Sequence, residues 1–329
     1  MNETAELGGV IAEDLSRPGT HVLVIGVSRY LHGIDADAPG RLCVDMRIGN
    51  LTSAACSAAT VADWLLHRVM LPPLPPLASL RVLLSPVDGE LDEIPIDARL
   101  RTAPRATRAN VQEAMRQFRA ACESHRDNHA VVYVAGHGIQ VTRAGAVLLL
   151  EDFGADTDPM KLYAAIDIEA HRRGLDHDGA ARQQCWFADI CRERPEIASR
   201  YQNLPTGVAC DEPDDGGVET SPMILATAGR AGAYAYTNGQ SFFSYALLWA
   251  LKSGGAATAE ADSWRVPFMS LFTRLHERVG AIAQRSGLEQ RVDVGGRYSP
   301  GVLLVSHLKC NSLAKTSAGV LNPKHRRGV

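Results

Sequence analysis

The sequence predicts a three-layer α/β protein: a mostly parallel six-stranded sheet with helices on both faces. Three observations carry that reading. Short, nearly unbroken apolar runs recur at 21–27, 79–85, 130–135, 185–190, 222–228 and 301–305, the pattern of strands buried on both sides. Segments with apolar residues at helical spacing separate most of them. Strand alternating with helix is the order that builds parallel sheets, because a parallel return needs a crossover long enough to hold a helix.

In chain order, residues 1–20 are polar and acidic and read as a flexible leader. His21–Val27 is the first strand, and the Gly-, Asp- and Pro-bearing stretch through Asn50 reads as loop. Ala54, Ala58, Val61, Ala62, Leu65 and Val69 line one face of a helix over 53–69. Pro72-Pro73-Leu74-Pro75-Pro76 then acts as a stiff connector. Ser79–Ser85 is the second strand, followed by an acidic loop through Pro104. Thr107 or Asn110 caps the next helix, whose inner stripe is Val111, Ala114, Met115, Phe118 and Cys122. Strand 130–135 runs into Gly136-His137-Gly138. Gly145–Glu151 reads as a short strand in a hairpin with Ile139–Thr142, and 159–174 as a mixed helix. Strand 185–190 runs into Cys191. Arg192–Ser221, rich in Pro and acids, reads as a long mobile loop. Strand 222–228, helices over 240–252 and 266–284 and a last strand at 301–305 complete the domain, and a basic tail follows.

Composition narrows the function classes. A chain of 329 residues, 46% hydrophobic, holds one large domain or two small ones. A net charge of -3 gives no general attraction to nucleic acid or anionic membrane, and the Trp and Arg residues form no nucleic-acid face. No 18-residue apolar run suggests a membrane span, and the N-terminus lacks the basic and apolar regions of a signal peptide, so a cytoplasmic location is expected. Seven cysteines without a CxxC fit free thiols in a reducing compartment. Gly295-Gly296 lacks the phosphate-binding Lys-Ser/Thr, and His125 and His129 lack a third ligand, so neither a nucleotide cofactor nor zinc is expected.

Two predicted strands end in reactive side chains, His137 and Cys191. Ligands of open parallel sheets bind beyond the carboxyl ends of the strands. A Cys and a His on one such edge form a nucleophile and its base, the imidazole raising the small ionised fraction of the thiol. Gly136 and Gly138 let backbone approach a substrate closely. The amide N–H groups of Gly138 and Cys191 are the candidate oxyanion hole. Asp189 precedes the nucleophile by two and shares its strand face.

Four features in this order resemble the caspase/metacaspase superfamily of cysteine peptidases. They are the Val-Leu-Val-Ile-Gly-Val strand with its polar loop, the helix from Thr107 to Cys122, the strand ending His137-Gly138, and the strand ending Asp189-Ile190-Cys191. Strand 223–228, the loop 234–240 and the helix after it are similar to the family's small subunit, so the resemblance spans about residues 20–306. The Gln-Ala-Cys signature of animal caspases is absent, and Asp-Ile-Cys-Arg-Glu is closer to metacaspases and prokaryotic relatives.

The resemblance implies a three-layer caspase-like sandwich over 21–307. It divides the domain into a large-subunit-like part (21–192), a mobile loop (193–221) and a small-subunit-like part (222–307), with a basic disordered tail at 308–329. It implies a cysteine endopeptidase with His137 and Cys191 as the dyad, acting on a protein with an extended segment laid along the sheet edge. Asp189 would line the first specificity pocket and favour a basic residue before the cut; as a purely structural acid it leaves a small neutral residue equally open. Relatives carry a second acid in a helix-start Cys-x-x-Asp. Cys56-Ser57-Ala58-Ala59 lacks it, and Asp45 or Asp35 can substitute. Arg192, Arg194 and Arg200 are possible self-cleavage points. The acids at 211–215 can bind Ca²⁺, as in some metacaspases, although a solvated acidic loop is the simpler reading. Family analogy points to prokaryotic cell death or phage defence. An inactive interaction module on this fold, a thiol hydrolase of small molecules and the oligomeric state all stay open.

Overall fold

The computed structural model describes residues 9–67, 74–140, 146–176, 181, 183–190, 204–209, 223–228, 239–252, 258–260, 263–295 and 303–307. The chain opens with β1 (Val10–Glu13), β2 (Thr20–Val27), a short α1 (Arg41–Met46) and the long α2 (Ala54–His67). It continues through β3 (Leu77–Ser85), α3 (Ala98–Arg101), α4 (Arg108–Glu123) and β4 (His129–Gly136). Three short strands, β5 (Gly138–Gln140), β6 (Ala146–Leu149) and β7 (Ala165–Asp167), precede α5 (Ile168–Gly174) and β8 (Gln183–Ile190). The last elements are β9 (Met223–Ala228), α6 (Phe242–Lys252), β10 (Thr258–Glu260), β11 (Ser263–Pro267), α7 (Phe268–Arg285), β12 (Gln290–Gly295) and β13 (Leu303–His307).

The central sheet has seven strands in the order β1-β3-β2-β4-β8-β9-β12. Its five inner strands are parallel, and β1 and β12 close the edges antiparallel. Every residue of β2 is buried, as its apolar run requires. The chain steps from β2 out to β3, then crosses back to β4 on the other side of β2. Two right-handed crossovers in opposite directions put α2 and α4 on opposite faces. The reversal lies between β2 and β4, the kind of place where ligands of open α/β sheets bind in a crevice beyond the carboxyl ends of the strands.

Small residues set how closely α2 approaches. Ala54, Ala55, Ala58, Ala59 and Ala62 are buried, and a Cβ on Gly26 of β2 would fall 2.5 Å from the Ala58 Cβ. The start of α2 is capped from outside the helix. Ser28 Oγ accepts the Ala55 N–H at 2.9 Å and donates to Glu90 at 2.8 Å, and Glu90 also accepts the Cys56 N–H at 3.0 Å. A carboxylate there complements the helix dipole. For α4 the cap is Thr107, whose side chain accepts the Asn110 N–H; Asn110 lies inside the helix and donates to the Arg105 carbonyl.

The sheet has one strand more than expected, and several elements differ from the sequence reading for physical reasons. Residues 10–13, inside the expected leader, pair with β3 as an edge strand. β12 shows no apolar run because an edge strand buries one face only. Gln290 and Val292 are buried while Arg291 and Asp293 are exposed, so no apolar run forms. The strand expected at 301–305 is β13, and it pairs with β11 in a separate three-stranded sheet. The expected helix over 159–174 is helical only from Ile168, where Asp167 caps it by accepting the Ala170 N–H; β7 takes up Ala165–Asp167. The helix placed at 266–284 starts at Phe268, after strand β11. The strand β10 lies between the helices placed at 240–252 and 266–284, too short to show an apolar run. Short helices α1 and α3 sit within stretches read as loop, too brief to show a period. The tail from 308 lies outside the described residues.

Within the expected loop 193–221, residues 204–209 are tied to the body of the domain. Gly207 N–H donates to the Leu162 carbonyl at 2.9 Å and Ala209 N–H to Gln112 Oε1 at 2.7 Å. Arg108 donates to the Gly207 carbonyl at 3.0 Å while its guanidinium lies 4.5 Å over the Tyr163 ring. Val208 is 1% exposed. A Cβ on Gly207 would stand 1.7 Å from the Tyr163 carbonyl oxygen, so only glycine fits. Gly207→Val is therefore expected to cost about 1–3 kcal/mol, as overpacking does. The loss should appear as a lower urea midpoint, with new cleavage at 204–209 in limited proteolysis that spares the wild type.

Candidate active site

β4 delivers His137 to the carboxyl edge of the sheet, one residue past Gly136. The imidazole Nε2 lies 2.8 Å from the carbonyl oxygen of Gly49. A carbonyl only accepts, so Nε2 carries the proton and the neutral ring keeps its lone pair on Nδ1. That is the tautomer of a base presented at Nδ1.

Gly49 is held in place by the loop between β2 and α2. The loop is closed at its ends by the Leu51 N–H donating to the Ser28 carbonyl at 2.7 Å. Ile34 N–H donates to the Ile48 carbonyl at 2.8 Å, and Tyr30 N–H to Asn50 Oδ1 at 2.8 Å. Asp35 accepts the Asn50 N–H at 2.5 Å. Arg47, in the left-handed region at φ 57°, turns the chain from α1 toward Gly49.

The parallel register sets Ala135 opposite Asp189 and Gly136 opposite Ile190. Neighbouring strands lie about 4.8 Å apart. Cys191 follows Ile190 directly, as His137 follows Gly136. Cys191 itself lies outside the described residues, as do Arg192, Arg194, Arg200 and the acids at 211–215. Gly138 opens β5, where the ladder to β6 fixes its amide. Leu149 N–H donates to the His137 carbonyl at 2.9 Å, which makes His137 and Leu149 a hydrogen-bonded pair. Antiparallel pairs alternate, so the next pair, Gly138 with Leu148, is not hydrogen-bonded and the Gly138 N–H points away from β6.

Asp189 is 3% exposed. Its Oδ2 accepts from the Tyr133 hydroxyl at 3.0 Å and from the Ser241 hydroxyl. Ser241 N–H donates to Ser57 Oγ at 2.9 Å, and Ser244 donates to the same Ser57 oxygen at 3.0 Å. The cluster thus joins β4, β8, α2 and the start of α6. Among the described residues no Lys or Arg forms an ion pair with Asp189. Burial pushes its carboxyl up to about 6, against the pull of the two hydroxyls. Asp45 is exposed on α1, and Asp35 is engaged with Asn50; neither bonds to His137 or Asp189 among the described residues.

Four described cysteines, Cys43, Cys56, Cys122 and Cys185, are buried and outside any disulfide. Burial raises Cys43 to about 11 and Cys56 to about 12, and pushes Cys122 and Cys185 up as well. Such thiols are poor nucleophiles. Among the described residues no group of three or more His, Cys, Asp or Glu is placed to hold a metal, and no helix is long and apolar enough to cross a membrane.

Sequence reasoning did not find Gly49, Tyr30, Tyr133 or Ser241. Gly49 acts through its backbone, which no residue type announces. Tyr133 is hidden in an apolar run. The one available signal was serine: Ser57 interrupts the alanine face of α2, and Ser241 and Ser244 sit one helical turn apart.

The Asp189 cluster has a consequence for stability. A carboxyl held near 6 in the fold and at an ordinary 3.8 when unfolded binds its proton more tightly in the native state between those values. Stability contributed by this group is full below 3.8 and falls as pH rises through 6, by about 3 kcal/mol in all. Asp189→Asn is expected to be more stable than wild type at pH 7.5, by up to that amount. Urea unfolding at pH 7.5 and pH 4 should show the gain shrinking at the lower pH.

Comparison with known proteins bears on the family. A protein from Geobacter sulfurreducens is similar in structure at 16% identity, with 86% of this chain and 95% of that one covered and a TM-score of 0.47. Caspase-1 from Spodoptera frugiperda is similar at 14% identity, with 89% and 92% covered and a TM-score of 0.47. The structure of pro-sf-caspase-1 aligns at 11% identity over 93% of this chain and 95% of that chain, with a TM-score of 0.43. No curated protein sequence matches. The family model of the peptidase C14 caspase domain matches residues 89–302, a span that contains β4, His137, Asp189 and β8. The chain therefore belongs to the caspase-domain family of cysteine peptidases.

Proposed function

We propose that the protein is a cysteine endopeptidase in which Cys191 is the nucleophile and His137 its base, cutting an extended protein segment after a basic residue. The observation that carries the reading is the fixed tautomer of His137, one residue past a register that pairs Gly136 with Ile190. In this mechanism the Cys191 thiol gives its proton to His137 Nδ1, and the sulfur forms a bond to the substrate carbonyl carbon. The carbonyl electron pair moves onto oxygen, where the Gly138 and Cys191 N–H groups stabilise it. Collapse breaks the C–N bond as His137 returns its proton to the leaving amine. Water, deprotonated by His137, then hydrolyses the thioester and restores the thiol.

Asp189 supports the choice of a basic residue. It is a buried carboxylate bonded to neutral hydroxyls, and a desolvated charge is favoured by a cationic partner. An arginine or lysine side chain of the substrate supplies one. The competing reading, a small neutral residue before the cut, draws on the same two hydroxyls, which occupy Oδ2 of that acid.

Purified wild type, Cys191→Ala and His137→Ala, tested on peptide libraries and by mass spectrometry, separate these readings. Wild type is expected to cut peptides after Arg or Lys, and to break within 192–221 at Arg192, Arg194 or Arg200. Cys191→Ala should be inactive, and His137→Ala should lose about 10²–10⁴-fold in kcat. Cutting after small neutral residues would move Asp189 to a structural role. Activity kept in Cys191→Ala would end the dyad reading.

A further inference from the structure

We propose that Tyr30 is a positioning residue for the reaction: its hydroxyl sets the peptide that carries His137, and through it both the imidazole and the Gly138 amide. The inference rests on the Cys191–His137 reading. The hydroxyl stands inside a β-ladder. A hydrogen-bonded antiparallel pair exchanges two bonds, and His137 and Leu149 make one of them, Leu149 N–H to the His137 carbonyl at 2.9 Å. In place of the second, His137 N–H donates to Tyr30 Oη at 2.7 Å, and the Leu149 carbonyl lies 3.5 Å from that same oxygen. The Val27 carbonyl is also 3.5 Å away. One buried oxygen thus joins the ends of β2, β4 and β6. It holds the His137 backbone off β6 by the width of a hydroxyl.

The same residue touches the ring it positions. The Tyr30 and His137 rings lie 4.9 Å apart between centroids, tilted by 51°. Gly136 makes room for this arrangement, because a Cβ there would come within 3.1 Å of Tyr30 Oη and 3.0 Å of Leu148 Cδ1. Tyr30 N–H is tied to Asn50, the neighbour of Gly49, whose carbonyl takes the Nε2 proton. A single loop therefore holds the imidazole by its Nε2 end, by its face and by its backbone. Rotation of the 136–137 peptide would swing Nδ1 and the Gly138 N–H together, so both would miss a reacting carbonyl at once.

Tyr30→Phe keeps the ring and removes the oxygen. Its kcat per folded molecule is expected to fall about 10- to 100-fold, with KM nearly unchanged, as for a misplaced catalytic group. The pH at which iodoacetamide alkylates Cys191 at half its maximal rate should rise toward that of an ordinary thiol. A role in stability alone would lower the melting temperature and move neither readout. Wild-type kcat with an unmoved alkylation profile in folded Tyr30→Phe overturns the proposal. Activity lost in Cys191→Ala but kept in Tyr30→Phe removes Tyr30 alone, whereas activity kept in Cys191→Ala removes the dyad beneath it. If Tyr30→Phe does not fold, 3-fluorotyrosine at position 30 keeps the shape and weakens the oxygen as an acceptor. A fall in kcat with a shifted profile then supports the proposal, and no change in either overturns it.

Discussion

The Gly49 carbonyl decides what His137 can do. An isolated imidazole chooses freely between two tautomers, and only one of them offers Nδ1 as a base. A carbonyl 2.8 Å from Nε2 removes the choice without adding a charge. A carboxylate in the same place would also stabilise the imidazolium; a carbonyl orients more than it charges. The arrangement needs the loop after β2 to meet the end of β4. That meeting follows from strand order, because β2 and β4 are neighbours where the direction of winding reverses. Fold and site are therefore linked by topology: the crevice at the reversal is where a loop from one strand can reach a side chain delivered by the next.

Much of this was legible in the residues, and what was not follows a physical pattern. β2, β4 and β8 declared themselves as apolar runs because both of their faces are covered. Helices α2, α4 and α7 showed their stripes. Edge strands β1 and β12 did not, since half their residues meet solvent or neighbouring side chains of mixed polarity. His137, Gly138 and Asp189 stood out because each interrupts or ends an apolar run with a reactive or permissive group. Gly49 and Tyr30 stayed hidden because they act through a backbone oxygen and a hydroxyl distant in sequence from the histidine they contact. Periodicity reports which face is buried, and it carries nothing about contacts closed by a loop.

The segment 204–209 shows a different use of backbone bonding. Between β8 and β9 the chain is long, yet in its middle Gly207 and Ala209 bond to the chain near β7 and to α4. Val208 adds a buried side chain where the neighbouring Leu204 is exposed. The chain between β8 and β9 is thus pinned at an interior point, 204–209. Loop closure depends only weakly on length, but fixing an interior point shortens both halves and limits where each can reach. A cut on one side of 204–209 leaves that anchor joined to the strand on the other side.

Three acids line the carboxyl side of the sheet, Glu151 and Asp189 buried and Glu90 half-buried, and their partners set them apart. Glu151 is held by the guanidinium of Arg105 through Nε at 3.0 Å and by Ser85 at 2.8 Å, a charge met by a charge. Glu90 is raised by burial but accepts backbone N–H groups at the start of α2, so a helix end opposes its charge. Asp189 has two neutral hydroxyls, and burial outweighs them. Evolution of a fold for stability alone would replace such an acid, since a buried carboxylate without a cation weakens the folded state. The first two acids are complete within the chain. The third lacks a cation within the described residues, it lies two positions before the proposed nucleophile, and its deficit is of the kind that a bound cation removes. On the proposed reading, the strain it places on the fold and the affinity it offers to a basic side chain are the same free energy, released when substrate binds.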